Sequence, residues 1–338
     1  MISCKAPRDP VQRLLRALIL AVLVAVAPAA YAQAWTPSKP VEFIVPAGPG
    51  GALDQAARLM KQVFDARGNL GQSFVVSNRP GGVGKPAFNA LAQREGDPHL
   101  LAYTTHGYLS NFIGGTLDVL PHRDFTPVVL LLDESIVVAV RAGDERFKTA
   151  QDLVTHLRAK PDGASIAVAA SVGNHIHVGI AKPLRAAGVD IGKLTVIAFR
   201  SSGDSLTALL GGHVDVVAAT TPNVMTLHQA GKIRLIAVSS AARLGGGLSA
   251  VPTWREQGVD SVFHSSLGVL AAKGISRAQI AFWERAYREL SESEEWKRQV
   301  ERNQSFPHFL GHEDTVRFYD EETRSMRTLL TAMGLARQ

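Results

Sequence analysis

Short apolar runs, many of them rich in β-branched residues, alternate along the chain with stretches of helical periodicity. This pattern predicts strands at residues 41–45, 74–77, 100–104, 128–132, 136–140, 165–169, 195–199, 214–218, 233–239 and 267–271, with helices that include 54–66, 150–160 and 203–210. Near-continuous apolar strands such as 128–132 are typical of a sheet that is buried on both faces. Strands that alternate with helices in this way predict an α/β protein with mainly parallel sheets.

The pattern changes after Ser276, where only helical periodicity remains and we expect no further strand. Ser276 and Ser293 are suited to cap the N-termini of two of these helices, and Gly334 to end the last one. Large apolar residues recur there on one helical face, which predicts core contacts. They are Ile280, Trp283, Tyr287 and Leu290, followed by Val316, Tyr319, Met326, Leu330 and Met333.

The first 32 residues have the pattern of a signal peptide. A basic start precedes an apolar run at 17–27, and Ala30-Tyr31-Ala32 is a small-x-small cleavage site. The apolar run is well short of the roughly 20 residues that a membrane-spanning helix needs. We therefore expect residues 1–32 to be removed by a cut after Ala32 and the protein to be exported to the periplasm.

Composition narrows the class of protein further. The chain has 338 residues, 46% hydrophobic and 20% charged, which excludes a disordered chain and predicts two domains. The formal net charge is +6, but four of the basic residues lie in the signal segment and no Lys/Arg cluster follows, so nucleic acid is not an expected partner. The only cysteine, Cys4, also lies in that segment, which excludes disulfides and thiolate metal sites from the mature chain.

Two loops rich in glycine and proline follow the first two predicted strands. The first occupies residues 46–53 and runs directly into a helix, and the second occupies residues 78–86. Glycines allow backbone N–H groups to approach a ligand, and a helix N-terminus favours a carboxylate or phosphate. Because neighbouring strands of a parallel sheet end at the same edge, we expect the two loops to lie side by side, where ligands of open α/β sheets bind.

Known cofactor and catalytic motifs do not fit these loops. A dinucleotide fingerprint needs glycine where Leu53 stands, and a P-loop needs glycine at Arg79 and Ser or Thr at Pro86. His175 and His177 lack a third ligand at metal-site spacing, and no nucleophile elbow is present. We therefore expect no cofactor, no metal and no catalytic residue.

The residues themselves leave two functions open besides the simple binding of an anion by these loops. A secreted hydrolase would need a Ser or Asp nucleophile within hydrogen-bond reach of His106, His175 or His177. A ligand sensor for a signalling system would have the same sequence features as a transport receptor.

Several segments resemble the Bug-type (TctC-like) receptors of tripartite tricarboxylate transporters. The matching segments, in order, are 44–54 (IVPAGPGGALD), 78–84 (NRPGGVG), 209–215 (LLGGHVD), 231–239 (GKIRLIAVS), 251–253 (VPT) and 267–274. The resemblance covers essentially the whole mature chain. It implies a type II periplasmic binding protein, with two α/β lobes joined by crossing strands and a ligand cleft between them. Lobe 1 would comprise residues 33–132 and 246–338, and lobe 2 residues 133–245.

The resemblance also implies a function and a site. The protein is expected to capture a small organic carboxylate, mainly with backbone amides, and to deliver it as a monomer to the membrane components of a tripartite tricarboxylate transporter. The implied ligand-binding residues of lobe 1 are Ala47, Gly48, Pro49, Gly50, Gly51, Asp54, Pro80, Gly81, Gly82, Gly84 and Thr105. Those of lobe 2 are Ser171, Asn174, His175, Phe199, Ser201 and Ser202.

Some positions depart from the family pattern. Leu53 replaces a hydroxyl residue, Ala47 a larger side chain, Asn174 a threonine and Ser201 a glycine, while Asp204 stands where proline is usual. We expect Asp204 to cap the helix that begins at Gly203. If Asp204 faces the cleft instead, it repels an anion, and a ligand with an amine or hydroxyl group is favoured.

Overall fold

The computed structural model describes residues 35–50 and 52–337. The expected signal peptide at 1–32, its Cys4 and the site residue Gly51 lie outside the described residues. No helix in the described part is both long and apolar enough to cross a membrane.

The strands and helices alternate as the sequence pattern predicts, through most of the chain. The strands are β1 Val41–Val45, β2 Phe74–Asn78, β3 Leu100–Thr105, β4 Thr126–Arg141, β5 Ser165–Ala169, β6 Thr195–Phe199, β7 Val216–Thr220, β8 Ile233–Val238, β9 His264–Ala271 and β10 Phe306–Leu310. The helices are α1 Ala52–Arg67, α2 Lys85–Ala92, α3 His106–Ile113, α4 Pro121–Asp124, α5 Ala150–Ala159, α6 His175–Ala186, α7 Ser202–Leu210, α8 Thr221–Gln229, α9 Arg277–Ser291, α10 Glu294–Arg302 and α11 His312–Ala332.

Two α/β lobes share the long strand β4. In lobe 1 the strand order is β2-β1-β3-β9-β4, and in lobe 2 it is β4-β7-β5-β6, while β10 and β8 also pair with β4. The sets β2-β1-β3 and β6-β5-β7 are parallel, as predicted, whereas every pairing with β4 or β9 is antiparallel. The sheet is therefore mixed, with a parallel set of three strands in each lobe.

Strand β4 corrects the prediction of two separate strands at 128–132 and 136–140. The polar residues Asp133, Glu134 and Ser135 interrupt the apolar pattern, but they stay in the sheet because they pair with 264–266 of β9. From Ile136 onward the same strand pairs with β7 and β8. The chain thus passes from lobe 1 to lobe 2 within one continuous strand.

Strand β10 contradicts the expectation of purely helical structure after Ser276. It pairs antiparallel with β4, with Phe306 opposite Asp133 and Pro307 opposite Leu132. The strand is five residues long and contains a proline, which is tolerated at a sheet edge but weakens the sequence signal.

The C-terminal helices otherwise follow their prediction. The side chains of Ser276 and Ser293 accept hydrogen bonds from the N–H groups of Gln279 and Trp296 and cap α9 and α10. The chain leaves α11 through Gly334, whose φ of 69° suits glycine. Seven of the nine predicted apolar positions are buried, namely Trp283, Tyr287, Leu290, Tyr319, Met326, Leu330 and Met333, whereas Ile280 and Val316 are only partly buried.

The lobe boundaries remain a prediction, and contacts favour one adjustment. Leu244, Leu248 and Val251 pack in one apolar cluster with Val137 and Leu235 of lobe 2. Pairing with lobe 1 resumes only at β9. These contacts favour a return crossing close to the start of β9 rather than at residue 246.

Candidate functional site

The two glycine-rich loops lie side by side because β1 and β2 are parallel neighbours in register. Val45 pairs with Asn78, so both loops start at the same level of the sheet edge. The Asn78 side-chain amide links the loops: it donates to the carbonyl of Ala47 at 3.1 Å and to Asp54 Oδ1 at 2.9 Å. The backbone N–H of Arg79 donates to the carbonyl of Val45 at 2.8 Å.

The Asp54 side chain holds the first loop in place through hydrogen bonds. Its carboxylate is 2% exposed, and Oδ2 accepts from the Gly50 N–H and from Arg58 Nε, each at 2.8 Å. The Arg58 hydrogen bond, helped by those of Gly50 and Asn78 and opposed by burial, lowers the pKa of Asp54 to about 2. Both oxygens are thus engaged by the protein itself, and we assign Asp54 to loop structure rather than to direct ligand contact.

The backbone amides of the loops divide into engaged and unengaged groups. The Gly50 amide donates to Asp54, and the Gly84 amide donates to the Gly81 carbonyl at 3.1 Å. The amides of Gly81 and Gly82 have no hydrogen-bond partner among the described residues. The second loop therefore has free amides to offer a ligand.

A cavity with a volume of about 510 Å³ lies between the loops of lobe 1 and the start of α6 in lobe 2. Seven of the residues expected at the site line it: Ala47, Gly81, Gly84, Thr105, Ser171, Asn174 and His175. The structure does not bring the other described ones to its lining: Gly48, Pro49, Gly50, Asp54, Pro80, Gly82, Phe199, Ser201 and Ser202.

Several lining residues carry polar groups that the sequence reasoning missed. They are Tyr108, Asn111, Glu134, Arg200, Thr220, Asn223, Ser265 and Ser266. Most of them lie on α3, at the start of β9 and at the end of β7, which carry no motif. Glu134 did leave a signal, because an acidic residue inside the apolar run 128–140 is unusual.

Gly84 is required where the second loop meets α2 and α3. Its φ is +84°, and a Cβ there would lie 2.6 Å from the Tyr108 ring. Such an approach needs a residue without a side chain. The glycine thus lets Tyr108 close one side of the cavity.

The two lobes touch beside the cavity. A Cβ on Gly107 of lobe 1 would lie 2.8 Å from His175 Nδ1 of lobe 2, and Ser171 Oγ donates to Asn111 Oδ1 at 3.4 Å. Burial, with a smaller contribution from His106, lowers the pKa of His175 to about 3. The imidazole is therefore neutral at physiological pH and adds no positive charge to the cavity.

Asn174 fixes the start of α6 at the cavity wall. Its Oδ1 accepts from the N–H groups of Ile176 and His177, and its Nδ2 donates to the Ala169 carbonyl at 2.6 Å. The side chain therefore both caps the helix and ties it to the end of β5.

The expectation that Asp204 caps α7 is wrong. The cap is Ser201, whose hydroxyl accepts from the Asp204 N–H at 3.1 Å. The half-exposed Asp204 carboxylate lies 3.7 Å from Arg200 and is not part of the cavity lining. Asp204 therefore neither caps the helix nor introduces a charge into the cavity.

The crossing strand β4 carries two adjacent acids with opposite surroundings. Asp133 accepts from Ser266 Oγ at 2.6 Å and pairs with His308 Nδ1 at 2.7 Å. Burial would raise the pKa of Asp133, but these two partners bring it below its usual range. Glu134 lines the cavity and has no hydrogen bond or ion pair within the described residues, and burial raises its pKa to about 7.

The histidines show no catalytic arrangement within the described part. His106 Nδ1 accepts from the Ser266 N–H at 2.7 Å, so its proton lies on Nε2, 3.0 Å from Glu322. His177 Nδ1 accepts from the Gly173 N–H at 3.0 Å. In residues 35–50 and 52–337, no Ser or Asp side chain is hydrogen-bonded to His106, His175 or His177. Nor does that part contain a group of three or more His, Cys, Asp or Glu side chains placed to hold a metal ion.

Two lobes that share a crossing strand, with a cavity of mixed apolar and polar lining between them, define the architecture of a solute-binding protein. Solved structures agree: the periplasmic binding protein BugD has a TM-score of 0.75 at 21% identity, over 89% of this chain and 100% of that one. An R. palustris protein solved with adipate has a TM-score of 0.77 at 25% identity, over 89% of this chain and 99% of that one.

The sequence comparisons name the family. The pattern of the family described as "Tripartite tricarboxylate transporter family receptor" matches residues 57–335. A UPF0065 protein of Bordetella bronchiseptica is 35% identical over 70% of this chain and 69% of its own length. Protein BugT of Bordetella pertussis is 27% identical over 70% of this chain and 72% of its own. The chain belongs to the tripartite tricarboxylate transporter receptor family, as the sequence resemblance predicted.

Proposed function

We propose that this protein is a periplasmic receptor that captures a small organic carboxylate in the cavity and delivers it to a tripartite tricarboxylate-type membrane transporter. The observation that carries the proposal is the pair of unengaged amides at Gly81 and Gly82, one of them in the cavity lining. Backbone N–H groups in a turn are well suited to an anionic oxygen.

The electrostatics of the cavity suit a receptor that must release its ligand. Amides bind a carboxylate through charge-assisted hydrogen bonds without a permanent ion pair. The cavity volume of about 510 Å³ also lies in the usual range for small-molecule pockets. A single small acid held between the two lobes fits both the amide donors and the volume of the cavity.

Solved relatives support a carboxylate as the ligand class. The R. palustris protein described above was solved with adipate. A second protein of the same fold, MatC from Rhodopseudomonas palustris, was solved with malate. Both ligands are dicarboxylates, so the carboxylate is their shared feature.

Location and assembly complete the proposal. Removal of residues 1–32 by a cut after Ala32 releases the chain into the periplasm, where it works as a monomer. Its partners are the free ligand and the membrane components of the transporter. The hydrolase alternative has no support from the contacts of His106, His175 and His177.

A ligand panel tests the function. The chain without residues 1–32 is titrated calorimetrically, and its melting temperature measured, with dicarboxylates, tricarboxylates, aromatic carboxylates and amino acids. At 100 times Kd, a ligand that binds only the folded protein stabilises it by about 2.7 kcal/mol. We expect at least one acid to raise the melting temperature by several degrees, and a panel without any shift would contradict the proposal.

Two helix-capping residues, one at the cavity and one away from it, test where the ligand binds. Asn174 caps α6 at the cavity, and Thr149 caps α5 without lining it. Each change to alanine is expected to cost about 1 kcal/mol of stability. Only Asn174→Ala should also weaken ligand binding, and equal weakening by Thr149→Ala would contradict a site at α6.

A further inference from the structure

Glu134 places an acidic side chain in the cavity lining without a buried basic side chain beside it in the described part of the chain. It is the only acidic side chain among the described residues of the lining, and Arg200 is the only Lys or Arg. The Arg200 side chain is 95% exposed and lies 3.7 Å from the Asp204 carboxylate. The lowered pKa of His175 leaves its imidazole neutral at physiological pH, so no buried cation among the described lining residues balances Glu134.

The neighbouring acid has hydrogen-bond partners, whereas Glu134 has none among the described residues. On the same strand, Asp133 is held by Ser266 and His308. The residue opposite Glu134 in the sheet, Ser265, also lines the cavity, but it forms no hydrogen bond with the carboxyl group. An acid that is largely removed from water without a partner destabilises the folded protein. A partner that arrives with the ligand removes this penalty.

The charge on Glu134 also bears on which ligand can enter. A dicarboxylate brings a second negative group into a low-dielectric cavity that already contains an acid, which costs binding energy unless a proton is taken up. An ammonium group forms charge-assisted hydrogen bonds with the carboxylate instead. The raised pKa of Glu134 is consistent with a group that lacks such a partner among the described residues.

We propose that Glu134 contacts the ligand directly and selects carboxylates that also carry an ammonium group over dicarboxylates. This inference rests on the proposed function and narrows its substrate class to zwitterionic acids. The amides of the second loop would hold the carboxylate, and Glu134 would hold the ammonium group.

Matched pairs of ligands test the selection. Calorimetric titrations compare adipate with 5-aminopentanoate, glutarate with 4-aminobutyrate, succinate with 3-aminopropanoate, and hexanoate with norleucine, which places the ammonium group next to the carboxylate. The wild-type protein should bind the amino member of at least one pair about tenfold more tightly or better. Glu134→Gln, which keeps the side-chain size, should abolish most of that preference by weakening the amino member.

Asp204→Asn serves as the control, because it removes an acid near the cavity that does not line it. It should change each affinity ratio less than about twofold. The inference is overturned if the wild type prefers the partner acid in every pair, if Glu134→Gln leaves the ratios unchanged, or if Asp204→Asn shifts them instead. Binding of dicarboxylates alone would overturn the inference and leave the proposed function intact. No binding of any acid by either protein would contradict the proposed function, and the inference with it.

Discussion

Two carboxyl groups, the buried Asp54 under the first glycine-rich loop and the partly buried Glu134 on the crossing strand, have opposite surroundings. Asp54 accepts hydrogen bonds from Gly50, Arg58 and Asn78, and its pKa is lowered to about 2. Glu134 has no partner in the described part, and its pKa is raised to about 7. The first acid stabilises the loop by satisfying its donors, whereas the second leaves a charge unsatisfied at the cavity.

From this comparison we infer that Asp54 is a structural acid and that Glu134 is free to contact a ligand. Asp54 is fully buried and Glu134 partly buried, so burial alone does not explain why the pKa is lowered in the first acid and raised in the second. The hydrogen-bond partners explain the difference. A carboxylate whose oxygens already accept hydrogen bonds from the protein has little hydrogen-bonding capacity left for a ligand, whereas a carboxylate without such donors can use both oxygens to bind one.

Removal of the Asp54 carboxylate should have the largest effect. Asp54→Ala leaves the Gly50 amide, Arg58 and the Asn78 side chain without their shared acceptor, and we expect a loss of about 3 kcal/mol in the free energy of unfolding. Because the first loop loses its shape, ligand affinity should also fall. Urea denaturation and calorimetry measure the two effects.

Asp65→Ala on the same helix is the control. Asp65 forms an exposed ion pair with Lys61 at the same i, i+4 spacing as Asp54 and Arg58. It should change stability by no more than about 0.5 kcal/mol. Equal losses of unfolding free energy from the two substitutions would contradict this. They would show that Asp54 acts only through its ion pair and not as the hydrogen-bond acceptor of the loop.

Replacement of Glu134 should have a smaller effect of the opposite sign, and only at high pH. The folded-state pKa of about 7 exceeds the ordinary value of 4.5, so the folded protein binds more protons than the unfolded chain between these values. The contribution of Glu134 to stability therefore falls as the pH rises through this range. We expect Glu134→Gln without ligand to match the wild type near pH 4 and to exceed it by about 2 kcal/mol near pH 8.

Other titrating groups near β4, including Tyr103, Asp133, His264 and His308, are present in both proteins and largely cancel in this difference. Asp54 predicts the reverse pH dependence, because its lowered pKa gives stability that is lost as the pH falls from about 4 towards 2. A stability difference for Glu134→Gln that does not grow with pH would break the contrast between the two acids.

The fold could be predicted from the sequence where local pattern and tertiary structure agree. Apolar runs such as 41–45 and 165–169 became strands with those bounds, and the serine caps of α9 and α10 follow from their residue type. The pattern was misleading at Asp133, Glu134 and Ser135. These polar residues look like a break, but β9 supplies the pairing that keeps them in one strand, and such a long-range contact leaves no local signal.

The site was predictable in its loops and less so elsewhere. The parallel neighbours β1 and β2 require the two loops to meet, so Ala47 and Gly81 could be placed from sequence. Glycine composition, however, does not reveal which amides the protein engages itself, as Asp54 engages that of Gly50. The sequence also left open whether Asp204 faces the cleft and did not single out Glu134, whereas the structure places Asp204 outside the cavity lining and Glu134 within it.

The central claim, that the second loop binds a carboxylate with its unengaged amides, can be tested at those atoms. Amide hydrogen exchange and ¹H–¹⁵N spectra of Gly81 and Gly82 are recorded with and without the acid that binds most tightly in calorimetry. Both amide signals should shift, and both amides should exchange more slowly, when the acid is bound. Calorimetric binding that leaves both amides unchanged would contradict the central claim.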